Sequence, residues 1–231
     1  MIRLAVIGMG YVGIPAAALF ADVPGFHVHG IQRRSKRSGW KIDALNRGEN
    51  PIGGDEPGLD ELISRVHEKG TFKVTDDISV VKDSDAILID VQTPTESDHQ
   101  PRYESLISVS QQVGEIMSPG TLVCIESTVA PGTTRNLVLP ILEEASGLIC
   151  GQDFSLAFAY ERVMVGRLLY NITDLPRIVG GIDVKSTQRA VDLYSNIVRA
   201  EIHSTDSLAA EVSKTVENTY RDVNIAFANE V

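Results

Sequence analysis

The chain has 231 residues, 43% of them hydrophobic and 23% charged, a composition that belongs to a folded globular protein and not to a disordered one. Its formal net charge of −10 opposes a phosphate backbone, which argues against a nucleic-acid partner. No apolar run approaches the ~20 residues of a membrane span and no leader-like segment opens the chain, so a membrane partner and secretion are not expected.

In chain order, short β-branched runs alternate with amphipathic stretches. Strands are expected at 3–8, 27–31, 86–91, 121–127, 155–160, 177–181 and 200–204, and helices at 11–22, 57–70, 103–117, 133–145 and 183–198. Near-continuous apolar strands separated by helices imply a doubly wound α/β fold, with a parallel sheet covered on both faces. Pro140 should kink or shorten the helix that contains it. From 207 to 231 a single helical period runs to the last residue without proline or glycine. Cys124 lies inside the apolar run TLVCIEST and Cys150 is far from it. Both read as thiols in a reducing, cytoplasmic setting and not as a disulfide framework.

The first strand runs into GMGYVG and then an alanine-rich helix. In that setting Gly8 permits a tight turn, Gly10 lets backbone approach a pyrophosphate, and Gly13 packs helix against strand, with Tyr11 and Val12 between them facing the dinucleotide. The second strand should then end in an acid for the adenosine ribose. It ends instead in Gln32, Arg33 and Arg34; glutamine can bond a ribose hydroxyl and arginine a 2′-phosphate, so NAD and NADP both stay open, as does a merely solvated loop.

Three further stretches sit where chemistry could occur. Lys214 and Asn218 are four apart on the last helix, with Glu211 and Arg221 three residues beyond on either side. An ammonium beside an amide can hold an alcohol oxygen, although a plain surface helix would look the same. Glu161 and Arg162 directly follow a strand, as do Ser127 and Thr128 in ESTVAPGTT and Thr93 and Pro94 in DVQTPTE. The carboxyl ends of strands are where an open α/β sheet forms its ligand crevice; N-terminal capping and turn chemistry are the plainer explanations.

Taken in order, GMGYVGIP, LNRGENPI, QTP, ESTVAPGTT, ERVMVGRLL, RIVGG and KTVENTYRDVNIAFANE resemble the nucleotide-sugar 6-dehydrogenases, the UDP-glucose/GDP-mannose dehydrogenase family, over essentially the whole chain. The ending RDVNIAFANE is most similar to the branch acting on UDP-N-acetylhexosamines, above all UDP-N-acetyl-D-mannosamine, with UDP-N-acetylglucosamine or UDP-glucose as alternatives. The resemblance implies oxidation of the sugar C6 hydroxyl to a carboxylate with two nicotinamide cofactors and no metal. Lys214 and Asn218 match the oxyanion-holding pair, Glu161 the glutamate of thioester hydrolysis, and Thr128 the threonine that positions water; Arg162, Arg221 and Asn224 match substrate-proximal positions. It further implies an NAD-binding domain over 1–204 and the start of a central helical domain over 205–231. A homodimer through that helix is expected from its apolar positions Val212, Val216, Val223, Ile225, Ala226 and Phe227, more than one solvated face would carry.

Departures are Tyr160 and Val165 where the family commonly has proline, and Gln32 for the ribose-binding acid. Neither cysteine matches the family's nucleophile, and the sugar-binding domain does not follow, so an N-terminal portion with poor activity of its own is expected. A β-hydroxyacid dehydrogenase, with one oxidation and no cysteine, and a non-catalytic dinucleotide-binding module are the competing readings.

Overall fold

The computed structural model describes residues 1–95 and 97–231. Its eight strands form one sheet in the order β3-β2-β1-β4-β5-β6-β7-β8. The strands are β1 (Ile2–Ile7), β2 (Phe26–Ile31), β3 (Phe72–Thr75), β4 (Ala86–Ile89), β5 (Leu122–Ile125), β6 (Ser155–Phe158), β7 (Arg177–Gly181) and β8 (Ile202–Asp206). The first six are mutually parallel, as a doubly wound fold requires, but β7 runs antiparallel to β6, with Ala157 opposite Gly181.

Period-two alternation assigns each central strand to both cores. Leu4 and Val6 of β1 join the layer beneath α1 (Gly13–Asp22), α3 (Leu59–Glu68) and α7 (Val184–Tyr194), while Ala5 and Ile7 join the layer beneath α4 (Glu104–Ile116) and α5 (Leu139–Ser146). Two short helices, α2 (Trp40–Leu45) and α6 (Leu168–Asp174), complete the connections before α8 (Ser207–Glu230).

Three local differences from the sequence expectation have physical causes. β3 was not anticipated because FKVT is only four residues long and two of them are polar. The helix expected over 133–145 divides just ahead of Pro140: a π-helical turn, Thr134–Val138, runs into α5, which leaves the proline in a first turn, where its missing N–H costs little. The helix expected over 183–198 stops at Tyr194, and β8 extends to Asp206, whose carboxylate accepts the Ala209 N–H at 2.9 Å and so starts α8.

The reversal at β7 positions the last helix. Asp206 pairs with Gly181, which lies opposite Ala157, one residue short of the end of β6, and from there α8 runs to the edge where β5 and β6 end. No helix among the described residues is long and apolar enough to cross a membrane.

Candidate active site

At the end of β1 the chain turns through Gly8, whose φ of +113° suits glycine. A Cβ there would lie 2.2 Å from the Asp90 carbonyl oxygen, and one on Gly13 would lie 1.9 Å from the Gly8 carbonyl oxygen. Gly10 is different: a Cβ on it would meet nothing within 4 Å, so its face is open. Val12 begins α1 without any side-chain cap and Tyr11 is exposed beside it; the Ile14 N–H is taken by the Gly10 carbonyl at 3.2 Å and Pro15 has none, which leaves the Gly13 N–H of that first turn to meet an anion. A closed turn, an open cradle and an uncapped helix N-terminus fit a dinucleotide pyrophosphate.

Gln32 closes this loop from the side. Its Oε1 accepts the Met9 N–H at 3.1 Å and its Nε2 donates to Ser38 Oγ at 3.2 Å, while Lys41 Nζ donates to the Met9 carbonyl at 3.1 Å. Arg34 is occupied with Asp43 and Asp76, whereas Arg33 is exposed.

The next two strand exits are fastened together. Thr93 Oγ1 donates to the Thr128 carbonyl at 2.6 Å, and Ser127 Oγ donates to the Val91 carbonyl at 2.7 Å. The Ser127 hydroxyl is thereby committed to holding loops, Pro94 accepts the Arg102 N–H through its carbonyl, and the Thr128 side chain is exposed. Because Ile125 and Phe158 are in register on parallel strands, Thr128 and Glu161 each stand three residues past the end of the sheet.

Lys214 reaches this edge from α8. Its ammonium donates to the Glu161 carbonyl at 2.7 Å and stands 3.9 Å from Glu161 Oε1, with its side chain 8% exposed and that of Glu161 12% exposed. Burial holds the Lys214 ammonium below its ordinary pKa, partly offset by Glu161 and Glu217. Tyr160, at the position where proline was the expected residue, lies beneath: Lys214 Nζ sits 5.1 Å from its ring centroid and its hydroxyl donates to Glu217 at 3.0 Å. Arg162 bonds the same Glu217 at 2.8 Å, the Tyr160 hydroxyl at 3.1 Å and the Pro176 carbonyl. Asn218 is half-buried one turn past Lys214 and accepts from Arg221 at 2.7 Å; Arg221 and Asn224 lie on the exposed part of α8.

The sequence reading noted Glu211 only by its spacing and passed over Glu217 and Glu56, which also build this edge. Glu211 is fully buried and accepts the Gly132 and Thr134 N–H groups at 2.5 and 2.8 Å, pinning α8 to the turn after β5. Glu217 anchors Tyr160 and Arg162. Both lie three residues from Lys214, and that spacing was the available signal. Glu56 reaches across 112 residues to accept the Leu168 N–H at 3.1 Å and also takes the Gly166 N–H, so it fixes the loop that follows Glu161.

Beneath the edge lies a buried ionic cluster. Asp90 and Glu126 each stand one residue past the paired ends of β4 and β5, side by side. Arg177, at the start of β7, pairs with Glu126 and donates to the Ala159 carbonyl at 2.6 Å; the Tyr194 hydroxyl donates to Glu126 at 2.8 Å, and the guanidinium lies 3.9 Å over the Tyr194 ring. One cation thus serves two buried carboxyl groups. Burial, reinforced by Glu126, pushes the Asp90 carboxyl well above the usual carboxylate range.

Burial also pushes the Cys124 thiol up to about 12, with Glu126 adding to the shift, and the Cys150 thiol up to about 11. Neither is activated as a nucleophile.

Residues 2–198 match the NAD-binding domain of the UDP-glucose/GDP-mannose dehydrogenase family. The UDP-N-acetyl-D-mannosamine dehydrogenase of Pyrococcus horikoshii is 41% identical over 228 residues, covering 99% of this chain and 52% of that protein. A UDP-N-acetyl-D-glucosamine 6-dehydrogenase of Salmonella typhi is 31% identical, covering 100% of this chain and 52% of its own length. Among solved structures, the NDP-N-acetyl-D-galactosaminuronic acid dehydrogenase of Methanosarcina mazei Go1 superposes with a TM-score of 0.92 at 52% identity, covering 100% of this chain and 49% of that one. The chain spans about half the length of the relatives it matches. With its uncapped glycine turn, its doubly wound sheet and this match over most of its length, the chain belongs to the UDP-glucose/GDP-mannose dehydrogenase family and carries that family's NAD-binding domain.

Proposed function

We propose that this chain is the NAD-binding part of a cytoplasmic UDP-N-acetylhexosamine 6-dehydrogenase, acting on UDP-N-acetyl-D-mannosamine. The observation that carries the reading is the buried Lys214 ammonium held against Glu161 at the carboxyl edge of the sheet, the edge that also bears the glycine cradle. Bound NAD supplies a hydride acceptor. The chain's own groups do the rest: Gly10 and the first turn of α1 hold the pyrophosphate, and Lys214 with Asn218 holds the C6 oxygen as it loses its proton. Glu161 and Thr128, on adjacent strand exits, position water for hydrolysis of the intermediate, and Arg162, Arg221 and Asn224 face the sugar nucleotide. The P. horikoshii and M. mazei relatives support an N-acetylhexosamine substrate.

Two measurements test this. Gly10→Val places a branched side chain in the open cradle, so NAD should bind the folded wild-type chain but not the folded variant. Equal affinity would remove this site. The complete enzyme should form two NADH per uronate from UDP-N-acetyl-D-mannosamine; a single NADH would favour the one-step β-hydroxyacid class.

A homodimer is proposed through α8, where Val212, Val216, Tyr220, Val223, Ile225 and Phe227 are all exposed, more apolar surface than a solvated helix ordinarily shows. Sedimentation equilibrium should give twice the chain mass; a monomer at high concentration with α8 helical would contradict this.

A further inference from the structure

The loop from β2 to α2 carries a charge pattern that the cofactor reading above does not require. From Arg33 to Lys41 the sequence RRSKRSGWK has five cations and no acid, in a chain whose net charge is −10. The loop is not adrift. Gln32 and Lys41 bind the N–H and the carbonyl of Met9, which ties both of its ends to the glycine turn, and the Ser35 and Ser38 hydroxyls lie 2.8 Å apart within it. It therefore stands where β2 ends, beside the place where a dinucleotide's adenosine ribose rests.

The cations are not equivalent. Lys41 is committed to Met9, and Arg34 to Asp43 and Asp76. Arg33, Lys36 and Arg37 are exposed and their side chains make no hydrogen bond or ion pair with any described residue. At the end of β2 an acid would repel a 2′-phosphate, and Gln32 does not. Its amide is already spent on Met9 and Ser38, so it makes no demand for a free 2′-hydroxyl. Arg33 follows directly, with a planar fork suited to phosphate.

We propose that the loop from Arg33 to Ser38 accepts the 2′-phosphate of NADP, with Arg33 as its chief ligand, so that this chain binds NADP as well as NAD. The inference rests on the dinucleotide site at the glycine turn, and the experiment separates the two. Calorimetric titration of the 231-residue chain with NAD⁺, NADP⁺, 5′-AMP and 2′,5′-ADP should give NADP⁺ an affinity within about tenfold of NAD⁺. It should also give 2′,5′-ADP an affinity about tenfold or more above 5′-AMP, the scale of one charge-assisted hydrogen bond. Arg33→Ala should lower the NADP⁺-to-NAD⁺ affinity ratio by about tenfold, and Gln32→Asp should lower it at least as far through like-charge repulsion. Binding of NAD⁺ with NADP⁺ about a hundredfold weaker would overturn the proposal and leave the dinucleotide site intact. An unchanged ratio in folded Arg33→Ala would overturn the assignment of Arg33, and failure of all four ligands would overturn the dinucleotide site itself.

Discussion

Arg177→Met should destabilise the chain by about 3–5 kcal/mol, the cost of stranding a buried charge whose partner is removed. The guanidinium is the only cation bonded to Glu126 among the described residues, and it also donates to the Ala159 carbonyl, so the substitution leaves Glu126 and Tyr194 crowded around uncompensated charge. Urea unfolding followed by circular dichroism reads the change. Adding Glu126→Gln to the same chain should restore part of the loss, because a neutral amide no longer needs the cation; no recovery would place the cost in packing alone.

The neighbouring carboxyl gives the same cluster a pH signature. Asp90 holds its proton in the folded chain at pH values where the unfolded chain has lost it. Its favourable contribution is therefore complete below the ordinary aspartate pKa of about 3.9 and is lost as pH rises through the elevated folded value. Asp90→Asn, neutral at every pH, should flatten that part of the stability profile. An unchanged slope would mean that Asp90 is ionised in the fold.

In the complete enzyme, Lys214→Ala should lower kcat by about 100- to 1,000-fold, the range seen when one oxyanion contact is removed, with KM for the sugar nucleotide changing far less. Lys214 is suited to that role because it is nearly dry, held by the Glu161 carbonyl and flanked by Tyr160. Pre-steady-state NADH formation measures the chemical step directly. A variant that retains wild-type kcat would show that the ammonium only fastens α8 to the sheet.

The parts of the fold set by local chemistry were legible from residues alone. GMGYVG after an apolar strand specifies a turn that only glycine fits, and β7 was placed to the residue because RIVGG is a short apolar run ending in two glycines. The reversal at β7 was not legible, since a strand's own side chains look the same whichever way its neighbour runs. FKVT was missed as a strand because its place at the sheet's edge leaves Lys73 exposed and breaks the apolar run. At the site, the pairing of Lys214 with Glu161 depends on contact across 53 residues, which spacing cannot reveal. Glu211 and Glu217 sat at visible helical intervals from Lys214, yet only the fold shows that their carboxylates turn inward. Asp90 and Glu126 were detectable as acids closing apolar strands, but their side-by-side placement comes from sheet register.

The last helix has a mechanical consequence. Glu211, Lys214 and Glu217 grip the sheet edge over two turns, about 9 Å, while the sixteen residues from Thr215 to Glu230 carry the rod about 24 Å past Lys214. The grip is the short arm of a lever and the exposed stretch the long one. For a rigid rod pivoting at Glu211, Glu230 lies about 28 Å away and Lys214 about 4.5 Å, so a swing of about 6 Å at Glu230 becomes about 1 Å at Lys214, and misplacement of that size can cost a reaction about a hundredfold. Whatever seats the long arm also sets the aim of the ammonium.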